Sequence, residues 1–127
     1  MADCICGDKC KTCIVKVALN LKELIQGFYI PQVNLMVPVL FIDGYTTDFS
    51  ICDTITVELH SALAPYSLIE SVSNVIHTNG SGRFVFNAAT INQSYYIAVR
   101  HRNSVETWSK TPLLFNSTTK SFDFTTP

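Results

Sequence analysis

Residues 94–108, Ser-Tyr-Tyr-Ile-Ala-Val-Arg-His-Arg-Asn-Ser-Val-Glu-Thr-Trp, constrain the fold more than any other stretch. Tyr95, Ile97 and Val99 fall on one side of a period-two pattern, and Tyr96, Ala98, Arg100 and Arg102 on the other. Aromatic and β-branched residues in that pattern read as a strand packed on one face against a core. Asn103-Ser104 supplies turn chemistry, and Val105 to Ser109 reads as the returning strand. The only tryptophan, Trp108, lies here, so much of the core area is expected around this hairpin.

The same period recurs upstream. In Thr54 to His60, Ile55, Val57 and Leu59 are expected inward, with Thr54, Thr56, Glu58 and His60 outward. Leu68 to His77 reads as the next strand. Asn79-Gly80-Ser81-Gly82 reads as a hairpin turn and Arg83 to Phe86 as its return. Leu113 to Phe115 and Ser121 to Phe124 close the series. Val33 to Ile42 also alternates, but Pro38 cannot donate to a ladder, which predicts an edge strand or a break there. Six or seven short strands with regular turns predict a mainly β, Ig-like antiparallel β-sandwich over residues 33–127.

Residues 1–30 look different. From Thr12, a plausible N-cap, Ile14, Val17, Ala18, Leu21, Leu24 and Ile25 recur at helical spacing, and Gly27 is a natural stop. This predicts one amphipathic helix over Thr12 to Gln26. Before it stands a cysteine-rich head, Cys4-x-Cys6-x3-Cys10-x2-Cys13. Four thiolates are a valid tetrahedral zinc set, although such sites normally separate two pairs by a longer loop. Zinc, free thiols and disulfides all remain open for the head. The fifth cysteine, Cys52, reads as a small buried hydrophobe.

Composition limits function. With 47% hydrophobic and 15% charged residues, the chain is expected to fold and to carry an apolar surface that a partner covers. A net charge of −1 argues against nucleic acid, which requires surplus Lys and Arg. No run is long and apolar enough to span a bilayer. The charged residues near Met1 do not make a signal peptide, so synthesis in a cytoplasm is expected.

Nothing in the sequence assembles a catalytic set. His60, His77 and His101 each stand alone on a strand. Ser94, Ser104 and Ser109 lack a nucleophile elbow, and Asp43, Asp48 and Asp53 are spaced by five. A non-enzyme is expected. Asn79, Asn92 and Asn116 head Asn-x-Ser/Thr triplets, read here as turn chemistry. Arg100 and Arg102 are expected to pair with carboxylates such as Glu58, Glu70 or Glu106.

Thr54 to His60, Pro65-Tyr66, Thr78 to Gly80, Ser94 to Ile97 and above all His101-Arg-Asn-Ser-Val-Glu-Thr-Trp-Ser109 carry a resemblance. From Leu35 to Phe124 the chain resembles a β-sandwich module of Bacteroidetes that recurs at the C-terminal ends of large secreted surface and adhesin-like proteins. In this short form it is similar to an auxiliary capsid protein of crAss-like phages. The resemblance implies a non-enzymatic virion protein that decorates the capsid of a tailed phage. Leu21, Leu24, Ile25, Phe28 and Tyr29 are then the expected contacts to a major capsid or other virion protein, and self-association stays open. The alternative is a bacterial cell-surface module for adhesion or glycan binding.

Overall fold

A computed structural model describes residues 16–87, 92–102 and 106–125. The fold is mainly β, and two sheets contribute their inner faces to one core. Three strands form the smaller sheet: β1 (Val17–Lys22), β6 (Ser81–Phe86) and β10 (Thr119–Asp123). β1 lies in the middle, antiparallel to β6 and parallel to β10. The larger sheet runs in the order β5 (Leu68–His77), β4 (Ile51–Ser61), β7 (Gln93–Arg100) and β8 (Thr107–Trp108). A further strand, β9 (Leu113–Phe115), also pairs with β7.

Alternation places the core. Ile55, Val57 and Leu59 of β4 and Tyr95, Ile97 and Val99 of β7 are buried on the inner face, as their period predicts. Phe115 of β9 lies beside Tyr95 on the same face, and Val17, Leu19 and Leu21 of β1 with Phe84 and Phe86 of β6 face them from the smaller sheet. The three phenylalanines have no exposed surface, and burying each stabilises the fold by roughly 1.5–3 kcal/mol. Trp108 does not anchor this core: it is 38% exposed on the far side of β8.

The expected helix over Thr12 to Gln26 is not formed where the structure describes it. Val17–Lys22 is a strand, whose inward positions are 17, 19 and 21. An apolar series read at helical spacing also contained a period of two, and ladders to β6 and β10 decide between them. The division at residue 30 moves with it, since β1 is the central strand of the smaller sheet. The strand expected over Val33 to Ile42 is likewise divided. β2 (Tyr29–Ile30) pairs with β3 (Leu35–Met36), Pro38 ends the pairing, and a single helical turn, α1 (Val39–Ile42), follows.

Residues 23–50 cap one end of the two sheets. Met36 and Ile25 are almost fully buried there. Met36 N–H donates to the Thr78 carbonyl at 2.7 Å and Val37 N–H to that of Phe28 at 2.8 Å. The turn at Thr78 to Gly80 carries the chain from β5 in one sheet to β6 in the other, so β5 and β6 are not ladder partners of a hairpin. Asn79 fixes this turn, its Oδ1 accepting from the Ser81 N–H at 3.0 Å and the Ser81 hydroxyl at 2.7 Å.

Candidate binding faces

The outward residues of β4, β7 and β8 form a cluster that the core does not require. Cross-strand register puts Glu58, Ala98 and Trp108 in one row, His60 and Tyr96 in the next, and Thr56 and Arg100 on the other side. Ala98 is the small residue of the middle row, which leaves room for the indole to reach across to His60, ring centroids 4.3 Å apart. Tyr96 stands 6.0 Å from Trp108 and 5.5 Å from Tyr66, the latter pair edge to face. Trp108 and Tyr66 remain 38% and 45% exposed.

Polar groups hold this row in place. Glu58 is buried, with Oε1 2.8 Å from His60 Nε2 and Oε2 3.2 Å from Arg100 Nε. Arg100 Nε also lies 2.7 Å from Glu106 Oε1. His60 Nδ1 is 2.8 Å from the Tyr66 carbonyl. Both ring nitrogens therefore lie against oxygen atoms that fix the plane of the ring. Tyr66 itself has φ +60°, an uncommon conformation for an aromatic residue, and its carbonyl is held by this buried histidine. The expected pairing of Arg100 with Glu58 and Glu106 is present. Glu70 instead accepts from the Asn87 N–H at 2.9 Å.

Arg102 pairs elsewhere. It donates to both oxygens of fully buried Asp53, at 3.1 and 2.9 Å. His101 Nε2 lies 2.8 Å from Asp53 Oδ2, and the Thr54 N–H donates to Oδ1 at 2.8 Å. Phe28 packs edge-on against the His101 ring at 5.3 Å. This network ties the end of β7 to the start of β4 beside the cap. Cys52, next in sequence, is buried as expected, and burial followed by the Asp53 charge pushes its thiol up to about 11.

A second feature is an exposed apolar knob in the cap. Phe41, Ile42, Tyr45 and Phe49 are 43%, 65%, 80% and 71% exposed, and Phe41 and Phe49 touch edge to face at 6.0 Å. Asp48 accepts from the Ser50 hydroxyl and, next in effect, the Ser50 N–H, bonds that lower its carboxyl pKa.

The residues expected as contacts are placed differently. Leu21 and Ile25 are buried in the core, while Leu24, Phe28 and Tyr29 are partly buried against it. Cys4, Cys6, Cys10 and Cys13 lie outside the described residues, so the zinc reading has no placement. Among the described residues no group of three or more His, Cys, Asp or Glu converges as metal ligands would. Ser109 Oγ donates to the Thr111 carbonyl and accepts from the Ile97 N–H, a structural use of the hydroxyl. Ser104 is outside the described residues. The aromatic cluster is not visible from alternation within single strands, because its members come from different strands and a turn. Register between β4 and β7 brings His60 to Tyr96, pairing of β8 with β7 adds Trp108, and Tyr66 arrives from the segment between β4 and β5.

Comparison with family models, with curated proteins and with solved structures returns no match.

Proposed function

We propose that this chain is a non-enzymatic structural module that attaches to the surface of a larger assembly, as an auxiliary or decoration protein on the capsid of a tailed phage. The observation that carries the reading is the apolar knob. Four large side chains stand in solvent within nine residues, where a monomer gains nothing from them. An occupant that covers them recovers their burial, and the proposed occupant is a major capsid or other virion protein. The contact moves from Leu21, Leu24, Ile25, Phe28 and Tyr29 to Phe41, Ile42, Tyr45 and Phe49. Strand order supports an Ig-like reading of the sandwich. β5-β4-β7-β8 matches a sheet with one added edge strand, facing a sheet that contains β1 and β6.

The test is composition of purified virions. Mass spectrometry is expected to find the chain in fixed stoichiometry. A variant with Ile42→Ser, Tyr45→Ser and Phe49→Ser is expected to fold yet separate from particles on a density gradient. A chain that is absent from virions, or a triple variant that stays bound, overturns the reading.

The aromatic outer face favours a second reading, a bacterial cell-surface module for adhesion or glycan binding. Its discriminator is location: cell-surface labelling in the producing bacterium supports it and is not expected of a virion protein.

A further inference from the structure

We infer that the outer face of the larger sheet, along the rings of Trp108, Tyr96 and Tyr66, is a binding site for a neutral oligosaccharide. The site goes beyond attachment through the knob and supplies the ligand that the adhesion reading would need. Three observations carry it. First, Trp108, Tyr96 and Tyr66 form a continuous aromatic row on a surface that contributes nothing to the core. Rigid amphipathic rings of this kind give contact area at little entropy cost, and the C–H face of a pyranose stacks on them. Second, the row is already ordered before any ligand arrives. His60 supports the indole at 4.3 Å and holds the Tyr66 backbone, and Glu58 fixes His60.

Third, the polar groups beside the rings are mixed in kind. Arg100, more than half exposed, offers donors, and the partly exposed Glu106 offers an acceptor. Sugar hydroxyls donate and accept at once and can engage both. A proline-rich peptide, the other common ligand of aromatic grooves, presents carbonyl acceptors and few N–H donors, and so matches Arg100 but not the exposed edge of Glu106. Two carboxylates against Arg100 and His60 leave no cationic excess for the phosphates of single-stranded nucleic acid, which would also stack on such rings.

The experiment uses the only tryptophan in the chain as its reporter. The purified full chain is titrated with cellohexaose, xylohexaose, mannohexaose and chitohexaose while Trp108 emission is followed. At least one is expected to give a saturable blue shift. Tyr66→Ala, at an exposed position, and Arg100→Ala are each expected to weaken that binding tenfold or more. Far-UV circular dichroism checks that both variants stay folded. No saturable shift with any of the four, or binding that Tyr66→Ala leaves unchanged, overturns the inference. A shift with decaproline or oligo-dT but with none of the sugars overturns it as well. Because the assay contains no particles, its failure leaves attachment through the knob standing, and the reverse holds too.

Discussion

Asp53 is the residue on which the end of the larger sheet depends. It has no exposed surface, and its two oxygens receive Arg102, His101 and the Thr54 N–H. Removing one partner of a buried ionic network leaves the others uncompensated, at about 3–5 kcal/mol. Asp53→Ala is therefore expected to lower unfolding free energy by that amount in urea. Arg102→Ala should cost less, because His101 and Thr54 still hold the carboxylate and the Arg102 side chain is 54% exposed. Equal losses for the two variants would contradict this ranking. Sequence reading reached part of this scale. Alternation puts Arg100 and Glu58 on outward positions of their strands, so an ion pair with a nearby carboxylate was expected, and register between β4 and β7 selects Glu58. Asp53 and His101 stand 48 residues apart, and their meeting depends on register between β4 and β7, which spacing within one strand does not contain.

At the scale of elements, the strands with unbroken alternation were legible. Leu68–His77 has the expected bounds, and Thr54 to His60 and Ser94 to His101 fall almost wholly within β4 and β7. β1 was not legible, because Val17, Ala18, Leu21, Leu24 and Ile25 fit a helix face as well as Val17, Leu19 and Leu21 fit a strand face. The ladders on both sides of β1 are long-range contacts, and they override local pattern. The turn between β5 and β6 was legible as a turn but not as a change of sheet. Gly80 is what permits it. Its φ is +93°, and a Cβ there would lie 2.9 Å from the Glu23 carbonyl oxygen and 3.2 Å from Leu24 Cδ2. The same carbonyl region matters because Glu23 N–H donates to Gly80 O at 2.9 Å, joining the cap to the turn. Gly80→Ala is expected to cost about 1–3 kcal/mol for the backbone conformation alone, with the backbone clash in addition. Gly44 is the internal control. Its φ is +82°, but a Cβ there meets nothing within 4 Å, so Gly44→Ala carries only the conformational part. Thermal unfolding of the two variants should rank Gly80→Ala clearly lower, and the reverse order would contradict the placement of the cap.

At the scale of the molecule, β4 separates two surfaces that have different chemistry. The cap packs at its start, with α1 against β4 and the Thr78 N–H donating to Ser50 O at 2.8 Å. Glu58 and His60, which organise the aromatic row, stand near its end. At ~3.3 Å per residue, Ile51 and His60 are about 30 Å apart. The knob is apolar and turned to solvent at one end, and the row of rings with its charged rim lies toward the other. A protein fixed to a particle through the first would keep the second free for a ligand. Such distant surfaces share no side-chain partners among the described residues, so their effects should add within about 0.5 kcal/mol. The triple knob variant is thus expected to bind the preferred hexaose with unchanged affinity. Tyr66→Ala is expected to remain on particles through the density gradient, and the combined variant to lose both functions while unfolding at the sum of the two separate shifts. If Tyr66→Ala alone strips the chain from particles, the two surfaces are one interface, and the outer face of the larger sheet belongs to the contact with the capsid.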